Sequence, residues 1–161
     1  MSEHARAVLL LVLAVLLVSL QTTVLSPSRL GVLSPDLNLA LTVVLAVTAA
    51  TRAEVALGLV NGLLLDALSG LPLGVVTLSR ASVFILVRSL SLKLFLRDNA
   101  SIAVLVAFSS VYVWGFVWLA FLLTGRGLHY SPAGVELARA LSTSLFSLPL
   151  TWVVRKHYAY L

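Results

Sequence analysis

From Ala100 to Leu123 the chain carries no charged side chain. As an α-helix that run is ~36 Å long at 1.5 Å per residue, more than the ~30 Å hydrocarbon core of a bilayer. Apolar runs of similar character fill nearly all of the remaining sequence. Of its 161 residues, 60% are hydrophobic and 11% charged, and the mean hydropathy is +1.08. Soluble domains have about 25% charged residues, so the reading is a single all-α domain of the multi-spanning membrane class. The absence of cysteine removes disulfides, thiolate metal sites and cysteine catalysis. The net charge of +5 does not point to nucleic acid, because the basic residues stand singly at span ends and form no patch.

The predicted spans cover residues 7–25, 35–51, 54–68, 72–92, 100–123 and 132–154. The first could be a signal peptide, but its run is long and QTTVLSPS offers no small-x-small cleavage site, so a retained span is expected. The third, from Val55 to Leu68, is only ~21 Å of helix. Charge decides whether it crosses. With six spans, Arg6, Arg52, Lys93, Arg97, Arg155 and Lys156 fall on one side, against Arg29 and Arg126 on the other. With five, the balance inverts. Only six spans with both termini cytoplasmic obey the positive-inside rule. The short third span then requires the SGLPLG turn to lie within the outer membrane half, where irregular backbone must be buried in protein.

Four ionisable residues fall inside predicted spans: Asp66, Arg80, Glu136 and Arg139. Each costs about 2.5–3.5 kcal/mol at a helix centre and calls for a partner. Counting along the helices puts Asp66 and Arg80 each ~12 Å from the outer boundary, with Glu136 and Arg139 at ~6 and ~10 Å. The expectation is a neutral polar cluster with Asp66–Arg80 as its deepest pair. The plainer alternatives are an acid near a helix N-terminus for Glu136, and snorkelling arginines for Arg139 and Arg88. On the third span Gly58 and Gly62 form GxxxG, Asp66 continues the same face and Asn61 is adjacent. Such a face suits close helix packing, with a partner or within the chain. Ala46, Ala49, Ala50 and Ala53 form a similar stripe on the second span.

No catalytic constellation is present. His4, His129 and His157 are too dispersed to ligate a metal from one helix, and Walker, GxSxG and HExxH motifs are missing. A non-enzyme without a cofactor is expected.

The ordered residues Gln21-Thr22-Thr23, Gly31, Ser34-Pro35-Asp36-Leu37, Gly58 and Gly62-Leu63-Leu64-Leu65-Asp66, with Ser69-Gly70 and Pro72-Leu73-Gly74, resemble the rod shape-determining protein MreD family. So do the span count, the chain length and the basic tail after a last span containing Pro149. The most specific part is the ordered pair of PDL and GLLLD-x-x-SG-x-PLG. Asn61 departs from the small or apolar residue expected there.

The resemblance implies a non-catalytic, multi-pass subunit of the elongasome in the bacterial inner membrane. It implies binding to MreC through that protein's membrane helix and periplasmic base. A RodA-type glycosyltransferase, a class B penicillin-binding protein and MreB would belong to the larger complex. The family also resembles the S components of energy-coupling-factor vitamin transporters, which share a six-helix fold. That supplies a second expectation, a small-molecule or lipid-binding membrane protein. The aromatics of the fifth span (Phe108, Tyr112, Trp114, Phe116, Trp118, Phe121) suit a pocket, a packing face or an interface belt.

Overall fold

The computed structural model describes residues 3–23, 34–48, 52–69, 74–94, 98–124 and 133–159. These form six helices and no strand: α1 (Glu3–Thr23), α2 (Leu37–Thr48), α3 (Arg52–Ser69), α4 (Val75–Leu94), α5 (Asn99–Thr124) and α6 (Ala133–Ala159). Three of them, over Val75–Lys93, Asn99–Thr124 and Ala133–Val154, are long and apolar enough to cross a membrane.

The shortest helix is the second, not the third. α3 runs for 18 residues because Arg52 and Glu54 extend its polar end, whereas α2 has only 12, or ~18 Å. All ten residues from Leu37 to Ala46 are buried. A helix apolar on every side belongs at the centre of its fold. Here the centre is literal, because α2 packs against each of the other five helices. Around it, α1 touches α3, α3 touches α4, α4 touches α5 and α5 touches α6. Among the described residues the remaining neighbours, α1 and α6, make no close backbone approach. Between them lies an apolar cleft of about 230 Å³, walled by Leu13 and Leu17 on α1 and by Phe146, Pro149, Leu150 and Val153 on α6.

Polarity is distributed as lipid-facing proteins require. Large apolar side chains point outward, among them Leu16, Ile85, Val104, Leu123 and Leu145. Asn38, Thr42, Asn61, Ser79, Arg80, Thr143 and Ser147 are buried inside. Hydroxyls on the helices return their hydrogen bonds to their own backbone, as Thr42 Oγ1 does to the Asn38 carbonyl at 2.8 Å and Thr151 Oγ1 to that of Ser147 at 2.6 Å. That lets them stay inside without a further partner.

Directions follow from the contacts. α4 runs parallel to α2, because Arg80 meets Asp36 before the start of α2 and Arg88 Nη1 donates to the Ala46 carbonyl near its end, at 3.3 Å. α3 runs antiparallel to α4: Gly58 faces Phe84, and Gly62 faces Thr77.

Candidate functional site

Asp66 does not pair with Arg80. Its carboxylate accepts from the backbone N–H groups of Gly74 (3.0 Å), Val76 (3.0 Å) and Thr77 (2.9 Å), and from the Thr77 hydroxyl. The first turn of a helix has N–H groups with no intrahelical acceptor, and a carboxylate there also favours the macrodipole. Asp66, buried near the end of α3, therefore caps α4 from outside that helix. Gly74 turns the chain into α4 with φ of +96°, a backbone conformation that side chains other than glycine's resist. The spacing of the GLLLD-x-x-SG-x-PLG stretch thus encodes a helix–turn–helix closed by its own acid. Residues 70–73, and Gly31, lie outside the described residues.

Arg80 reaches instead to Asp36, two helices away in sequence. Asp36 is the N-cap of α2, its Oδ1 accepting from the Leu39 N–H at 2.9 Å. Its own N–H donates to Thr143 Oγ1 at 3.0 Å, and that hydroxyl donates to the Arg139 carbonyl at 2.7 Å. One aspartate thereby ties α2 to α4 and α6. The Arg80 side chain is 5% exposed, and no protein acceptor reaches its Nε or Nη1. Arg139 pairs with Glu136 on the same helix, Nη1 to Oε1 at 3.0 Å.

In place of the expected Asp66–Arg80 pair and four-residue cluster, the structure has two separate pairs, Asp36–Arg80 and Glu136–Arg139. Asp36 takes the place assigned to Asp66. The signal for it was Pro35-Asp36-Leu37 ahead of an apolar run, an N-cap signature.

The glycine face is filled from within the chain. A Cβ on Gly58 would stand 2.7 Å from Phe84 Cε2, and one on Gly62 would stand 3.0 Å from the Thr77 Cα and 3.4 Å from the Arg80 Cβ. GxxxG here brings α3 and α4 together and leaves no room for a second protein. Asn61 is buried against α2, its Nδ2 lying 3.4 Å from the Asn38 carbonyl and 3.5 Å from Thr42 Oγ1. Asn38 in turn uses its backbone and side-chain N–H groups on Gln21 Oε1 of α1, both at 3.3 Å. The Gln21 of the QTT motif is thus an anchor between α1 and α2. Of the alanine stripe, Ala46 is buried in the core; Ala49 and Ala50 lie outside the described residues.

Beside Asp36 the bundle opens into a cavity of about 160 Å³ between α2, α5 and α6, lined by Asp36, Leu39, Ser110, Trp114, Glu136 and Arg139, with two further valines of α5. Of the aromatics on α5, Trp114 alone lines it. Tyr112 and Phe116 pack on each other with centroids 6.3 Å apart, and Phe108 and Trp118 are exposed. Among the described residues no group of three or more His, Cys, Asp or Glu side chains could hold a metal. No protein-family model, curated protein or solved structure matches the chain.

Proposed function

We propose that the protein is an MreD-like scaffold of the bacterial elongasome, a six-span inner-membrane subunit with both termini cytoplasmic. In this reading it binds MreC and helps to control lateral peptidoglycan synthesis and rod shape. One observation carries it: the two acids inside the most specific resembling motifs, Asp36 of PDL and Asp66 of GLLLD-x-x-SG-x-PLG, are the two that brace the helix bundle. The likeness therefore falls on residues with a structural task, and is more than shared greasiness.

The six-span topology draws support from α2. Too short to cross alone, it is ringed by protein, and its capped start satisfies the rule that irregular backbone at membrane depth must be enclosed. With the glycine face occupied, the seam between α1 and α6 is where a partner's single helix would enter, since every other adjacent pair is already closed. Lipid supplies no hydrophobic drive between helices, so association there would rest on shape and dispersion.

The test is an affinity-tagged chain recovered from its native membrane with its bound partners identified. MreC is expected at near-stoichiometric yield, and Leu17→Trp or Leu150→Trp, which fill the seam, should cut its recovery at least fivefold. Recovery without MreC sinks the reading; unchanged recovery in both tryptophan variants moves the contact elsewhere.

The second reading, a carrier resembling a vitamin transporter S component, is favoured by the polar cavity beside Asp36. Its volume of about 160 Å³ is well under the ~300 Å³ at which drug-sized sites begin. A vitamin is too large for it.

A further inference from the structure

We propose that the cavity between α2, α5 and α6 is a binding site for a compact zwitterion, a primary ammonium joined to an oxyanion, such as the headgroup of an ethanolamine phospholipid. The inference is independent of the scaffold reading.

The cavity presents unused hydrogen-bonding groups of both signs. Arg139 spends only Nη1 on Glu136, and Glu136 only Oε1 on Arg139. Among the described residues, the second carboxylate oxygen of Glu136 and Nε and Nη2 of Arg139 make no contact beyond that pair, so they are available to a ligand. Ser110, 8% exposed, lines the cavity and offers its hydroxyl there. The Asp36 carboxylate lines the same cavity, with Oδ1 accepting from the Leu39 N–H and Oδ2 from Arg80, each with lone-pair capacity to spare.

Charge then selects the ligand. Each acid of the site has its own arginine, Glu136 the lining Arg139 and Asp36 the Arg80 outside the lining, so walls and supporting arginine together sum to neutral. A bare anion or bare cation would bring an uncompensated charge into a low-dielectric space, which is costly. A zwitterion brings none. Its ammonium has three N–H donors for Glu136 and Asp36, on a wall shared with Trp114. Its oxyanion has acceptors for the spare Arg139 donors and for Ser110, and charge-assisted bonds of this kind are the strong ones.

Size agrees. About 160 Å³, where one water needs ~10–15 Å³ on the same measure, suits a headgroup of the size of phosphoethanolamine. A trimethylammonium has no N–H to give the carboxylates, and a glycerol headgroup has no cation. Choline and glycerol phospholipids should therefore bind more weakly. An ethanolamine lipid and a free zwitterion share the chemistry, and the experiment separates them.

The detergent-purified full chain is titrated with short-chain phosphatidylethanolamine, phosphatidylcholine, phosphatidylglycerol and soluble phosphoethanolamine, with retention read by native mass spectrometry. The expected result is at least tenfold tighter retention of phosphatidylethanolamine than of the other two lipids. That preference should be lost in Glu136→Gln and Arg139→Gln, counted only where thermal melting matches the parent. Ser110→Ala, a minimal deletion, provides the same test should the charge variants fail to fold, with at least a threefold loss expected. Phosphoethanolamine binding as tightly as the lipid assigns the site to a soluble zwitterion; tenfold weaker binding assigns it to a membrane lipid. Equal retention of the three lipids, or a preference that survives all folded variants, overturns the proposal.

Discussion

Asp36 and Asp66 are the same side chain put to two uses. Asp66 accepts three backbone N–H groups at the start of α4 and a hydroxyl besides. Asp36 caps its own helix and also holds a buried guanidinium. The two should therefore respond differently to mutation. Asp66→Ala removes a cap and should cost about 0.5–2 kcal/mol of stability, the range for losing a capping side chain, with Asp66→Asn costing less because one acceptor oxygen remains. Thermal unfolding in detergent measures both. Asp36→Ala strands Arg80 in the interior, and breaking a buried pair from one side costs about 3–5 kcal/mol. Asp36→Ala combined with Arg80→Met should recover much of that loss. A double variant no more stable than Asp36→Ala alone would show that the charge pair is not what the single change disrupts. That Asp66 needed polar partners was legible in the sequence, because a lone carboxylate in an apolar run demands them. Which partners was not. Depth can be counted along a helix at 1.5 Å per residue, but counting says nothing about which way a long guanidinium swings, and backbone N–H groups leave no mark in the sequence at all.

At the scale of helices, the α3–α4 hairpin is set by closeness, with the glycines of α3 lying against α4 side chains and backbone. Gly62→Leu should separate the pair, since the nearest neighbour of a new Cβ would be the Thr77 backbone at 3.0 Å, which cannot rotate away. Gly58→Ala meets only the Phe84 ring, so Gly58→Ala with Phe84→Leu should melt closer to the parent than Gly58→Ala alone. No such rescue by a side-chain change is expected for Gly62→Leu. Helix positions were largely readable. The fifth predicted span, residues 100–123, became Asn99–Thr124, and the sixth, 132–154, became Ala133–Ala159. The second, 35–51, contains the helix Leu37–Thr48, and its last three residues lie outside the described residues. The role of GxxxG was open, because close packing looks the same in sequence whether the neighbour is covalently attached or not.

The molecule as a whole is a hub with a broken rim: one buried helix, five around it, and a gap between the first and the last. Its hub is also its most dependent part. α2 is held at its start by Arg80 of α4 and Thr143 of α6, near its end by Arg88 of α4, and along one side by Gln21 of α1 and Asn61 of α3. Most of those contacts come from segments that leave the ribosome later than α2 itself. A nascent chain must therefore carry the Asp36 carboxylate without Arg80 until α4 is made, and the Asp36 N–H without Thr143 until the final helix arrives. Chains halted after residue 124 should be cleared rapidly by membrane proteases in a pulse-chase, while co-expression of the missing last helix as a separate peptide should prolong their lifetime.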